Sequence, residues 1–320
     1  LKKVSENLLD NKGLDIRLKI LRGGAILYCK SCTQKIDEDS KFCKYCGAKV
    51  TNEIKADVDG IKLKNIFHGI YITLQSNSQY TKEEFDEDFD CFKNYENKVF
   101  SNNDFYKILV DVVFYSGFKA STVEKYLRVI HSYFDDYKKV LKYNKEQVDI
   151  IKNDSNMIRN RNKIDACIKN AVKLEQIINK YGSVQNYINS FNPNLSDECL
   201  LRLKNRLEKD FSFIGDTTSY HVMTDIGLNV LKPDRVILRI FYRLGLLDNE
   251  TDLFGAVKVG RSFSLILNLP IRYIDIIFVS YGQLNLAKLE CICSEKNPKC
   301  YKCGANVYCN YANQVINRGF

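Results

Sequence analysis

From about residue 103 onward, apolar positions recur at spacings of three and four, the period of a helix with one buried face. Ile108, Leu109, Val112 and Val113 make one such stripe, and Val123, Leu127, Ile130 and Phe134 the next. Between Arg159 and Tyr181 the pattern continues through Ile164, Ile168, Ala171, Leu174 and Ile178. It stops at Gly182, a residue suited to the left-handed position behind a helix. Further helices are expected around 197–209, 217–228, 235–245 and 271–285. Strand signals are few, so the chain is expected to be mainly α, with a helical domain over 103–290. Residues 51–102 are harder to read. Gly69-Ile-Tyr-Ile-Thr-Leu74 suggests a short strand, and the acidic run Glu83–Asp88 a solvated helix start or linker.

Composition adds bounds. The 320 residues are 45% hydrophobic, enough to bury a core. No apolar run reaches the length of roughly 18 residues that a spanning helix needs. The first thirty residues carry no secretion pattern, so a cytoplasmic monomer away from membranes is expected. The formal charge is +9. It is near balance before residue 150 and clearly basic beyond it, which suits a polyanionic partner.

Eight of the 12 cysteines fall in two tight clusters, a placement that reads as metal ligation rather than a disulfide framework. Cys29-x2-Cys32-x10-Cys43-x2-Cys46 is two knuckles around one tetrahedral Zn²⁺, a small β zinc ribbon over residues 27–50 behind an N-terminal segment 1–26. Phe42 is expected to pack under that site. The second cluster, Cys293-x6-Cys300-x2-Cys303-x5-Cys309 within 291–312, is a four-thiolate loop for zinc or for an iron–sulfur cluster.

Between two helical patterns lies Phe211-Ser-Phe-Ile-Gly215, with Asp216 or Thr217 placed to open a helix. A glycine turn leading into a helix presents unpaired N–H groups, a suitable seat for phosphate. Downstream stands Lys232-Pro-Asp234-Arg-Val-Ile-Leu-Arg239. A carboxylate at a helix start is kept ionised by the local N–H groups and the helix dipole.

With these residues in view, 211–240 resembles the helix–hairpin–helix DNA glycosylase superfamily. Asp234 takes the place of that superfamily's catalytic aspartate and Arg239 that of the arginine five residues on. The tail spacing, with Pro298 before the second cysteine, is similar to the [4Fe–4S] loop of the endonuclease III branch. The run Met157–Ala166 with Asn170-Ala171, and Phe211–Gly215 followed by Tyr220, Met223 and Gly227, resemble the 3-methyladenine DNA glycosylase I family.

The resemblance implies a helix–hairpin–helix glycosylase bundle with a C-terminal [4Fe–4S] loop, acting on a flipped damaged base in double-stranded DNA, a purine such as an alkylated adenine. Gly215, Thr217, Arg239, Arg159, Arg161 and Lys163 are the expected DNA-binding residues, and Tyr115, Phe118 and His221 the expected lining of the base pocket. The departures matter. Val112 and Ala120 stand where the 3-methyladenine family grips its base. Thr217 stands where lyase members carry their lysine, so hydrolysis without strand cleavage is expected. The alternatives are an endonuclease III-like glycosylase/lyase and a non-catalytic DNA-binding or redox-sensing iron–sulfur protein.

Overall fold

The computed structural model describes residues 52–94 and 99–316, with the short segments 19–21, 24–28 and 35–36 and positions 42 and 44. Two units separate at Leu63/Lys64. The first contains three short antiparallel strands in the order β1 (Lys19–Leu21), β2 (Gly24–Tyr28) and β3 (Lys35–Ile36), with Ile20 opposite Ala25 and Leu27 opposite Ile36. Phe42, expected to pack under the metal site, is 58% exposed. The four expected zinc ligands, Cys29, Cys32, Cys43 and Cys46, lie outside the described residues.

Helix α1 (Asn52–Ser76) crosses the division. It replaces the strand expected at Gly69–Leu74. The β-branched residues there suggested a strand, but Ile66, Phe67, Ile70 and Leu74 are buried at helical spacing. The second unit continues through α2 (Lys82–Asp90), a single 3₁₀ turn at Cys91–Asn94, α3 (Asn102–Tyr115), α4 (Ala120–Glu124), α5 (Leu127–Phe134), α6 (Tyr137–Val140) and α7 (Lys145–Asn153). Then come α8 (Arg161–Tyr181), α9 (Val184–Asn189), α10 (Asp197–Asp210), α11 (Asp216–Asp225), α12 (Arg235–Arg243), α13 (Leu253–Leu267), α14 (Ile271–Gly282) and α15 (Asn310–Ile316).

Local chemistry fixes several ends. The acidic run expected to be solvated forms α2 through a capping box in which Thr81 and Glu84 bond each other's backbone N–H, while Phe85 and Phe89 turn inward. Ser101 and Asp104 start α3 in the same way. Asn160 caps α8, and Gly182 ends it at φ 81°.

Two hydrophobic centres organise this unit. Helices α3–α11 share one, built around Phe105, Tyr106, Phe114, Phe134, Tyr187 and Tyr220. The other is aromatic: Phe67 of α1 meets Phe263 of α13 and Phe278 of α14, and Phe241 of α12 meets the same two rings. Burial of such a ring contributes on the order of 2–3 kcal/mol, so each centre is a substantial core. Among the described residues no single helix is long and apolar enough to cross a membrane. Helices α13 and α14 pass that test only together, and they are bent by 113°.

The C-terminal cysteine loop is tied back onto the second centre. Tyr281 O accepts the N–H groups of Ile292 and Cys293. Thr73 Oγ1 donates to Gly69 O at 2.6 Å and accepts Gly304 N–H at 2.9 Å. A side chain at either Gly69 or Gly304 would collide with the other's backbone, so both positions need glycine for close approach.

Candidate active site

Helix α10, the turn Phe211–Gly215 and α11 form the expected hairpin. Its turn is held from α8: Asn170, 1% exposed, accepts Ser212 N–H at 2.7 Å and donates to Ser212 O at 3.1 Å. Phe213 adopts φ 63°, a conformation that favours glycine, and its ring stays largely outside the core. Gly215 has an extended backbone open to any residue, and a Cβ there would meet nothing within 4 Å. What glycine supplies is an uncovered approach to the start of α11. Gly215 N–H is already bonded to Thr218 Oγ1 at 2.7 Å. The acid at the first helical position, Asp216, is paired with Lys204, which also holds Glu208 at 2.9 Å. Thr217 is half-buried.

Asp234 caps α12. Its Oδ1 accepts both Val236 N–H (2.9 Å) and Ile237 N–H (3.1 Å). Oδ2 has no protein donor among the described residues, so one oxygen serves the helix and the other is available for chemistry.

Around Asp234 the fold gathers charged groups that sequence reasoning did not connect. On α14, Arg272 pairs with Asp275, which is 1% exposed. The same guanidinium reaches Asp225 at the end of α11 (3.5 Å), and Asp225 in turn meets His221 (3.2 Å). Burial would raise the Asp225 carboxyl, but His221, Arg272 and Lys232 together hold it below the usual range. Burial, with the charge of Asp234 added, pushes Asp275 up to about 6 against the opposing pull of Arg272. On α3, Asp111 bonds His131 at 2.7 Å. It is nonetheless held above its ordinary range, first by burial and also by Asp225. The only signal available beforehand was an Asp four residues after His221 and an Arg three before Asp275, spacings common on any helix surface.

Of the expected pocket residues, His221 and Tyr115 lie within electrostatic reach of Asp111. Phe118 belongs to a different grouping, where its ring and that of Phe213 stand 5.2 and 5.1 Å from Lys163 Nζ. Val112 is fully buried in the core.

Two expected DNA contacts are corrected. Lys163 is 3% exposed and donates to the carbonyls of Val113 and Ser116 (the latter at 2.6 Å), so it closes the end of α3. Arg239 donates to Gly282 O at 2.8 Å and Cys293 O at 3.1 Å, bracing the cysteine loop. Its position on the buried side of α12 explains both bonds. Arg159 and Arg161 are exposed at the start of α8.

In the loop, Arg243 points a nitrogen at Cys293 Sγ (3.4 Å) and donates to Ser294 O (2.7 Å) and Glu295 O (3.0 Å). Cys309 Sγ donates to Arg243 O at 3.2 Å and accepts Ala312 N–H at 3.4 Å. Burial raises the thiols of Cys300, Cys303 and Cys309, and Cys293 adds to all three. Among the described residues no group of three or more His, Cys, Asp or Glu is placed to hold a metal ion.

Residues 93–232 match the methyladenine glycosylase family, and residues 28–50 match a zinc-ribbon domain. Among solved structures, 3-methyladenine DNA glycosylase I from Staphylococcus aureus is 17% identical, over 48% of this chain and 91% of that one, with a TM-score of 0.38. A thermostable thymine-DNA glycosylase is 16% identical, over 80% and 99% of the two chains, at 0.49. An endonuclease III–DNA complex is 17% identical, over 75% and 100%, at 0.47. Through its 93–232 segment, which is less than half of the chain, it is similar to the methyladenine glycosylases.

Proposed function

We propose that the protein is a monofunctional DNA N-glycosylase that removes a modified purine, with Asp234 as its catalytic carboxylate. The observation that carries this reading is the division of labour within Asp234: Oδ1 is fixed by two backbone N–H groups and Oδ2 is unengaged among the described residues. A carboxylate so held can face the positive charge that develops on the sugar as the base departs. It can also accept a proton from the water whose oxygen bonds to the sugar carbon while the C–N bond breaks. The base must first leave the duplex stack. Arg159 and Arg161 would hold phosphates, and the uncovered start of α11 at Gly215 and Thr217 would seat one more. His221, Tyr115 and Asp111 would meet the extruded base. Because Val112 and Ala120 replace the family's gripping residues, the purine need not be 3-methyladenine.

The thiols of Cys293, Cys300, Cys303 and Cys309 would hold a [4Fe–4S] cluster, and Cys29, Cys32, Cys43 and Cys46 a zinc ion. When bound, the cluster would supply a rigid anchor for its loop, and Arg239 and Arg243 hold the surrounding backbone in place for it.

A second reading has one observation behind it. Lys232 acts electrostatically on both Asp225 and Asp275, so an amine stands beside the Asp234 helix although Thr217 offers none. That amine would permit a glycosylase/lyase.

The test is anaerobic incubation with duplex DNA bearing many lesions, for the wild type and Asp234→Asn, with free bases read by mass spectrometry. A base released only by the wild type supports the glycosylase and names its substrate. Equal release by both proteins, or none by either despite DNA binding, refutes the role of Asp234. Borohydride trapping of a protein–DNA adduct, lost in Lys232→Met, would select the lyase.

A further inference from the structure

An ion chain in the second unit ends on a residue of the expected base pocket. On α14, Arg272 Nη1 donates to Asp275 Oδ2, and Nη2 of the same guanidinium stands 3.5 Å from Asp225 Oδ1 on α11. The other oxygen of Asp225 lies 3.2 Å from His221 Nε2. Asp275, Arg272, Asp225 and His221 are therefore joined contact by contact, from a buried carboxylate on one helix to an imidazole on another. The ring of Phe92 backs the guanidinium at 5.3 Å. Burial alone would raise the Asp225 carboxyl, but His221, Arg272 and Lys232 hold it low, so it faces the imidazole as a carboxylate. Buried ion pairs add little net stability beside apolar residues of the same size, whereas a planar guanidinium does fix where its carboxylates stand.

The consequence for His221 is chemical. A ring nitrogen that faces a carboxylate carries its hydrogen there, because a lone pair would be repelled. The tautomer selected by this contact has its acceptor lone pair on Nδ1, the ring's remaining polar atom. His221 keeps 15% of its side-chain surface open, although its neighbours Tyr220 and Val222 are buried. We propose that His221 is a specificity-determining residue whose Nδ1 accepts a hydrogen bond from an N–H group of the extruded base, with Asp225 as the positioning residue that holds the ring and Arg272 as the brace of Asp225. The inference rests on the glycosylase reading and on the pocket assigned to it above. A base that brings an amine or a ring N–H to this edge is held. One that brings a carbonyl oxygen there meets a second acceptor, stays unpaired and is rejected.

Two measurements test this on the full chain. The sequence holds three histidines, His68, His131 and His221, so each imidazole signal can be assigned by its loss on substitution. Long-range proton–nitrogen NMR at about pH 8, above the ordinary imidazole range, should show His221 in one tautomer with its hydrogen on Nε2, and a mixture in Asp225→Ala. A hydrogen on Nδ1 in the wild type, or tautomers unmoved by Asp225→Ala, would overturn the proposal. The second measurement is single-turnover release of methylpurines from duplex DNA treated with dimethyl sulfate. An asparagine amide reaches about as far as Nδ1 and a glutamine amide about as far as Nε2. His221→Gln should therefore slow release about tenfold more than His221→Asn, while the two bind DNA alike. Equal loss in both, or the greater loss in His221→Asn, would leave His221 a structural residue. No release by the wild type would sink the glycosylase reading itself, a failure distinct from equal loss in the two variants. If Asp225→Ala does not fold, the pair of His221 substitutions decides alone.

Discussion

Replacing Lys163 by Met should expose how the fold handles a buried cation. The ammonium sits between two aromatic rings and donates to the last carbonyls of α3, and burial lowers it from 10.5 to about 8. A lysine lowered on folding means that the folded state binds fewer protons than the unfolded one between those two values. Stability from this group should therefore rise as pH climbs from about 8 toward 10.5 and be lost as pH falls through 8. The full shift would correspond to about 3 kcal/mol, and with allowance for partial screening about 1–3 kcal/mol.

At pH 7 the substitution relieves that cost but strips the Val113 and Ser116 carbonyls of their donor, at about 1–3 kcal/mol each. The net expectation is a loss of about 1–3 kcal/mol at pH 7 that deepens by a similar amount at pH 9.5. Urea unfolding of both proteins at the two pH values measures it, and the difference between them cancels every other titrating group. Parallel pH dependence in the two proteins would refute the reasoning. DNA affinity of the folded variant should keep the wild-type salt slope, since Lys163 meets no solvent.

Three further outcomes are expected. Arg239→Met should speed the loss of iron from the cluster proposed for the C-terminal loop, followed by visible absorbance under chelator, because the Cys293 carbonyl loses its bracing; unchanged release would return Arg239 to a DNA-contacting role. Gly304→Ala must push its backbone away from Gly69 and Thr73 and should cost about 1–3 kcal/mol, read as a lowered Tm. Asp216→Asn removes an anion from the start of α11 and leaves Lys204 paired with Glu208 alone, so DNA binding by fluorescence anisotropy should tighten about two- to fivefold at low salt, a gain that salt erases.

Helices α3, α5, α8, α10, α11, α12 and α14 were legible because their buried stripes are periodic, as in α8, where Ile164, Ala171 and Leu174 are all buried, whereas α13 and the short α7 and α9 were not. Asp234 was legible because capping is a local event, decided within four residues. What escaped was set by distant partners. Gly69–Leu74 looked like a strand because β-branched residues dominate it, and only the stacking of Gly304 on Gly69 accounts for the glycine in that helix. Lys163 and Arg239 carry charge, and charge in a linear sequence suggests solvent. Their carbonyl partners lie about fifty residues away, at Val113 and Cys293. The Asp225–Arg272–Asp275 cluster joins α11 to α14 and has no sequence-local signature at all.

The crossing of Gly69 and Gly304 has a consequence for the order of events during synthesis. Thr73 must wait for Gly304, 231 residues later in the chain, before its hydroxyl finds its second partner. Phe67 waits similarly for Phe263 and Phe278. The helices that leave the ribosome first thus complete their packing last, while α3–α11 close around their own centre in between. A nascent chain arrested before α13 would present the apolar face of α1 to its surroundings, and this protein would lean on a holding chaperone at that moment more than one built from local contacts.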